Sequence, residues 1–289
     1  MLNLFSIKFL NFRNTTFLLI LFILFFNISC KSKDNTATEN LSANVTSSNT
    51  GNIKHFNQIK KYYLDIIDTI PHNVNYYTQG FVWHNGFLYE GTGQEGLSAL
   101  VKYNKNYSVD KFINLETQYF GEGVTILSDK IYQITWLDQK CFVYDLKNLK
   151  KIKELSYSGE GWGLTNNDSL LIMSDGSADI RFINPENFTI VSNLRVKRNG
   201  NPVRFLNELE LVDTLLYANI YMYDLIIIAN INTGEVVGEV DISPLRKMLY
   251  NNPQKEVSNG IAYNKKEDYF YLTGKYWNKI FVVRFVAIN

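Results

Sequence analysis

Glu122, in Phe120-Gly121-Glu122-Gly123, and Lys275, in Thr273-Gly274-Lys275, are ionisable groups placed beside glycine in otherwise apolar runs. Gln79, Trp136, Trp162, Asn207 with Glu208, Tyr221 and Asn259 hold matching places in neighbouring runs, as do the acids Glu90 and Asp175. Acids and amides in an apolar wall cost several kcal/mol unless they are paired or used, which makes them site candidates. Each has a structural reading by itself: Trp136 as packing, Glu122 as a cap for backbone N–H groups, Asp175 in Ser-Asp-Gly-Ser as a turn former, Lys275 as a solvated edge lysine. Their joint occurrence favours catalysis, because a pure binding surface has no need of an acid between aromatics.

Thiol and metal chemistry fit poorly. The chain has three His, all in its first third (His55, His72, His84), and two Cys. That is too few for a Cys/His zinc cluster. Cys141, in Lys-Cys-Phe-Val-Tyr, reads as a small core residue, since no His follows His84 to activate it. The formal charge of +1 provides no basic excess for nucleic acid. Neither a metal nor another cofactor is expected.

The candidates must be positioned by strands. Five openings recur: Gln79-Gly80-Phe81, Glu122-Gly123-Val124, Trp162-Gly163-Leu164, Glu208-Leu209-Glu210 and Asn259-Gly260-Ile261, spaced 40 to 51 residues apart. Each leads into a short apolar strand, a polar turn such as His84-Asn85-Gly86, and a second strand. Third strands follow at 99–103, 141–145, 180–184, 225–230 and 280–285. Fourth strands follow in four units, near 111–115, 152–157, 191–196 and 236–242. The fifth unit lacks one, and the orphan strand Tyr62–Ile70 can supply it. Four strands per 40–50 residues predict a five-bladed β-propeller, an all-β fold closed by an N-terminal strand. Only 244–250 has a helical reading. In such a ring the openings meet at one mouth, and the ends of the second strands bring Glu90, Trp136, Asp175, Tyr221 and Lys275 to it.

The start of the chain reads as an address. Lys8 and Arg13 precede the uncharged run 15–26, and Asn27-Ile28-Ser29-Cys30 resembles a bacterial lipobox, with Asn27 where Leu is usual. Residues 1–29 are expected to be a signal peptide, Cys30 a lipidated anchor, 30–60 a Ser/Thr/Asn/Lys-rich tether, and 61–289 the propeller. This places the protein in the bacterial cell envelope, on the periplasmic or outer-membrane face. Nothing indicates an oligomer, and a monomer is expected.

The wording of the repeats resembles the plant and bacterial glutaminyl-peptide cyclotransferases. Tyr77-Thr78-Gln79-Gly80-Phe81, Leu88-Tyr89-Glu90-Gly91-Thr92-Gly93, Phe120-Gly121-Glu122-Gly123, Ile134-Thr135-Trp136 and Gly161-Trp162-Gly163-Leu164 follow that family in order. Ser174-Asp175-Gly176-Ser177, Leu206-Asn207-Glu208-Leu209-Glu210, Asn259-Gly260-Ile261-Ala262 and Thr273-Gly274-Lys275 continue the match. The resemblance implies a five-bladed propeller that cyclises N-terminal Gln of peptides or proteins to pyroglutamate and releases ammonia. It implies Glu122 as proton-transfer residue, Phe120, Trp136 and Trp162 as pocket aromatics, Asn207 and Lys275 as polar contacts, and Gln79 as the first-blade glutamine. Tyr221 stands where the family commonly has Trp. Indole N–H, Asn207 and Lys275 are then the available donors to the amide oxygen. Two rivals remain at this point: a peptide- or sugar-binding propeller and a propeller lactonase.

Overall fold

Short β-branched and aromatic runs, separated by Asn, Asp and Gly turns, become strands from one end of the described chain to the other. The computed structural model describes residues 58–249 and 252–288. The signal, lipidation and most of the tether assignments, including Cys30, lie outside these residues.

Strand β1 (Lys60–Pro71) precedes the repeats. Blade one is β2 (Thr78–His84), β3 (Phe87–Thr92), β4 (Ala99–Tyr103) and β5 (Val109–Asn114). Blade two is β6 (Gly121–Leu127), β7 (Lys130–Thr135), β8 (Lys140–Asp145) and β9 (Lys151–Ser156). Blade three is β10 (Leu164–Asn166), β11 (Leu171–Met173), β12 (Asp179–Ile183) and β13 (Ile190–Arg195), followed by a small hairpin of β14 (Lys197–Arg198) and β15 (Asn201–Pro202). Blade four is β16 (Leu206–Val212), β17 (Leu215–Ile220), β18 (Leu225–Asn230) and β19 (Val236–Asp241); a one-turn helix, α1 (Ser243–Lys247), leads on to blade five. Blade five has β20 (Ser258–Asn264), β21 (Tyr269–Gly274) and β22 (Lys279–Ala287).

The missing outer strand of blade five is β1, antiparallel to β22 from Tyr62↔Ala287 to Pro71↔Lys279. The start of β1 also pairs in parallel with β19, Lys60 opposite Gly238, so blades four and five share one eight-stranded sheet. The sequence expected the closing strand but not this second pairing, nor the β14–β15 hairpin.

Burial falls from centre to rim: β6 is buried along its whole length, whereas the outer strands β5, β9 and β13 are largely exposed. Five apolar clusters form the core, one between each pair of neighbouring blades; the cluster of Phe81, Leu88, Val101, Tyr271, Ile280 and Ile70 joins blade five to blade one. Cys141 is a buried core residue of the cluster between blades two and three.

The openings carry glycine because the inner strands nearly touch. A Cβ at Gly80 would strike the backbone of Gly123 and Val124; at Gly123, that of Gly163 and Leu164; at Gly163, that of Asn207 and Glu208. Glu208 stitches the centre: its carboxylate accepts from the N–H groups of Phe81 (3.2 Å) and Ile261 (2.8 Å).

Candidate active site

Four of the five inner strands are bulged where they reach the centre; β10 of blade three pairs regularly. Pairing skips one residue between Thr78 and Gly80 in β2, and two each between Gly121 and Val124 in β6, Leu206 and Leu209 in β16, and Ser258 and Ile261 in β20. The skipped positions are Gln79, Glu122 with Gly123, Asn207 with Glu208, and Asn259 with Gly260. A bulge frees a side chain from the alternation of the sheet and re-aims it. The residue after the second strand donates its N–H to the residue before the first strand or its bulge: Gly93 to Tyr77 (2.8 Å), Trp136 to Phe120 (3.0 Å), Tyr221 to Phe205 (2.8 Å) and Lys275 to Val257 (3.0 Å). This shared bond puts Trp136, Tyr221 and Lys275 at equivalent places over the same mouth.

Together they enclose a cavity of about 190 Å³, lined by Tyr77, Gln79, Gln94, Phe120, Glu122, Trp136, Trp162, Asn207, Tyr221 and Lys275. That is below the ~300–1,000 Å³ of drug-sized sites and suits one amino-acid side chain. All eight candidates named from the sequence as catalytic or substrate-binding line it. Two lining residues, Tyr77 and Gln94, were missed; Tyr77 immediately precedes the Thr-Gln-Gly opening, which was the available signal.

At the floor lies an ordered chain of amides and acid. Asn259 Nδ2 donates to Gln79 Oε1 (3.0 Å), and Gln79 Nε2 donates to Glu122 Oε1 (2.9 Å). Asn259 thereby fixes which end of the Gln79 amide faces the acid. Glu122 is 4% exposed. Burial pushes its carboxyl well above the usual carboxylate range; Lys275 pulls it back and Glu160 pushes further up. Lys275, far from a solvated edge residue, is 3% exposed. Its Nζ lies 4.4 Å from the Tyr77 ring centre and 5.0 Å from that of Tyr221, within cation–π range. Burial lowers its pKa, against the pull of Glu122 and Glu256.

The walls are edge-to-face aromatics: Tyr77 on Phe120 (6.0 Å), Phe120 on Trp136 (5.6 Å) and Trp162 on Tyr221 (5.5 Å). A Cβ at Gly176 would collide with the Trp162 ring. Both indole N–H groups are spent on one acceptor, Glu160 Oε2, at 2.7 Å from Trp136 and 2.9 Å from Trp162. This corrects the expectation that an indole N–H could serve the amide oxygen. Asn207 presents a buried Oδ1 with no partner among the described residues, an acceptor awaiting an N–H.

The other acids leave the mouth. Glu90 accepts from Thr78 (2.7 Å), Tyr103 (2.5 Å) and His72 (3.1 Å). Asp175 takes Arg181 at 2.5 Å and the N–H of Ser177 at 3.0 Å, as a turn former does. The capping role considered for Glu122 belongs to Glu208 and to Glu210, which accepts from the N–H of Tyr263 (2.9 Å).

Comparison with known proteins bears directly on this pocket. The family model described as glutamine cyclotransferase matches residues 37–285. The chain belongs to that family. Within it, the glutaminyl-peptide cyclotransferase of Arabidopsis thaliana is 31% identical over 226 residues, covering 76% of this chain and 71% of the plant protein. The crystal structure of Myxococcus xanthus glutaminyl cyclase superposes with a TM-score of 0.75 and 32% identity, covering 80% of this chain and all of that one. The propeller expected from the repeats is thus the fold of a family member.

Proposed function

We propose that this protein converts the N-terminal glutamine of peptides or proteins into pyroglutamate, with release of ammonia. The observation that carries the reading is the meeting of Glu122, Gln79, Asn207 and Lys275 within a small aromatic cavity. The free α-amine attacks the side-chain amide carbon; a C–N bond forms to close the five-membered lactam, and the bond to the amide nitrogen breaks. The proton leaving the amine passes to the Glu122 carboxylate and from there to the departing nitrogen, so one acid serves both halves. A raised carboxyl pKa brings this base closer to an α-amine, which titrates near ~7.7–8.0. With both indoles engaged elsewhere, Lys275 Nζ is the cation available to the developing charge on the amide oxygen. Asn207 Oδ1 suits an N–H of the bound glutamine. Phe120, Trp136, Trp162 and Tyr221 hold the side chain close to attack geometry.

Incubation with a Gln-initiated dipeptide while ammonia is monitored tests the reading. Stoichiometric release is expected; a folded protein that releases none removes it and returns the pocket to peptide binding. By its sequence, the same protein is proposed to be a monomer anchored in the bacterial cell envelope through lipid on Cys30. A Cys30→Ser variant is expected to pass from the membrane to the soluble fraction.

A further inference from the structure

Glu160 lies between β9 and β10, two residues before Trp162, and nothing in the sequence singled it out. The chain reaches it through Gly159, whose φ of +86° is open to glycine at little cost. Its Oε2 is shared by two indoles from different blades: Trp136 from the end of β7 and Trp162 from the start of blade three. Each indole also packs edge-to-face on one ring, Trp136 on Phe120 and Trp162 on Tyr221. A charged acceptor makes the stronger bond of the two kinds open to an indole. Trp136 is 37% exposed, so without that anchor little else fixes its ring at the rim.

We propose that Glu160 is a positioning residue that sets the grip on the glutamine side chain, holding Trp136 and Trp162 as one wall through a single carboxylate oxygen. The inference rests on the cyclotransferase reading. Glu160 touches no reacting atom, yet its charge reaches Glu122. The charged and titratable groups that act on or answer to Glu122 are Lys275 after β21, Glu160 and Tyr157 after β9, and Tyr77 before β2. Among them Glu160 opposes ionisation of Glu122 and Lys275 favours it.

The test compares wild type, Glu160→Gln and Glu160→Ala in kcat and KM measured separately, in the pH profile of kcat/KM, and in near-UV circular dichroism without substrate. Glu160→Gln keeps an oxygen for both indoles but no charge. Its KM and spectrum are expected near wild type, with the acid limb at lower pH. Glu160→Ala is expected to raise KM about tenfold, a charged hydrogen-bond effect, with a smaller change in kcat and an altered tryptophan spectrum. Wild-type KM and spectrum in Glu160→Ala, or an unmoved acid limb in Glu160→Gln, overturn the proposal. If Glu160→Ala does not fold, the acid limb of Glu160→Gln decides. If wild type releases no ammonia, the function fails while the spectra still decide the clamp.

Discussion

Burial drives Glu122 and Lys275 toward neutrality from opposite sides, and each partly restores the other's charge. The two face one cavity without a direct ion pair between them among the described residues, so both remain available to a ligand. Glu122→Gln is expected to lower kcat by at least ~10²-fold, the scale of general acid–base catalysis. Gln79 keeps an oxygen to bond, so the fold should stay intact. The sign of the stability change follows from the raised carboxyl pKa. Above the unfolded value of 4.5 the native state must either retain a proton or bury a charge, and either costs stability. At pH 8 the variant should therefore melt higher than wild type, while below pH 4 the two should converge. Ammonia release and a melting curve on the same sample check both halves, and a variant that cyclises at the wild-type rate ends the assignment of the acid. Lys275→Ala is expected to cost at least about tenfold in kcat/KM, as loss of a charged donor does. A Michaelis–Menten series with a Gln-initiated peptide measures it.

Strands and the residues at their ends, not helices, hold the site, and the device that aims Gln79, Glu122 and Asn207 is the bulge. The pattern of small residue, apolar run and turn was readable because close approach of the inner strands demands glycine at Gly80, Gly123 and Gly163. The blade period and the closing strand were readable for the same reason: each is an alternation or a spacing within one segment. Hydrogen bonds that join distant segments were not. Nothing near Asn259 indicates that it orients Gln79, since these partners meet only when the ring closes, nor does anything near Glu160 indicate that it would take an indole from each of two blades. Glu90 and Asp175 sit beside glycine as the site residues do, and only the fold sends them away from the mouth. The element-scale expectation concerns the glycines. Gly123→Ala would push β6 away from blade three, and overpacking of this kind costs about 1–3 kcal/mol. A lowered urea midpoint with unchanged slope is the expected result, whereas Gly96→Ala, at a position with open space around it, should cost only its backbone strain at φ +75°.

At the scale of the ring, a buried ion pair spans the seam between blade five and blade one. His72 follows β1; its Nδ1 lies 2.8 Å from the Trp277 carbonyl of blade five and its Nε2 3.1 Å from the Glu90 carboxylate of blade one. Both neighbours are acceptors, so both ring nitrogens donate and the imidazole is held as the cation. Burial works to lower its pKa, and Glu90 with the Trp277 carbonyl outweighs it, leaving the value above the ordinary 6.5. A raised basic group contributes stability that is complete below 6.5 and is lost as pH rises through the folded value. The buried acids act in the same direction. Burial holds Glu208 well above 4.5 and pushes Glu210 up to about 8, so the folded chain binds more protons than the unfolded chain across that window. Lys275 has the opposite sign, its lowered pKa favouring the folded state only as pH climbs toward 10.5. The melting temperature is therefore expected to fall between pH 6 and pH 9, by about 2–4 °C for each kcal/mol lost in a domain of this size. Glu208→Gln should flatten that slope, because an amide oxygen can still accept from Phe81 or Ile261 without the cost of ionisation. His72→Gln should flatten the part above 6.5 while lowering stability at pH 6, where the ion pair contributes most. A series of calorimetric melts across this range is the measurement, and a melting temperature that rises steadily with pH would show that the surface pairs, not the buried acids and the His72 lock, govern the ring.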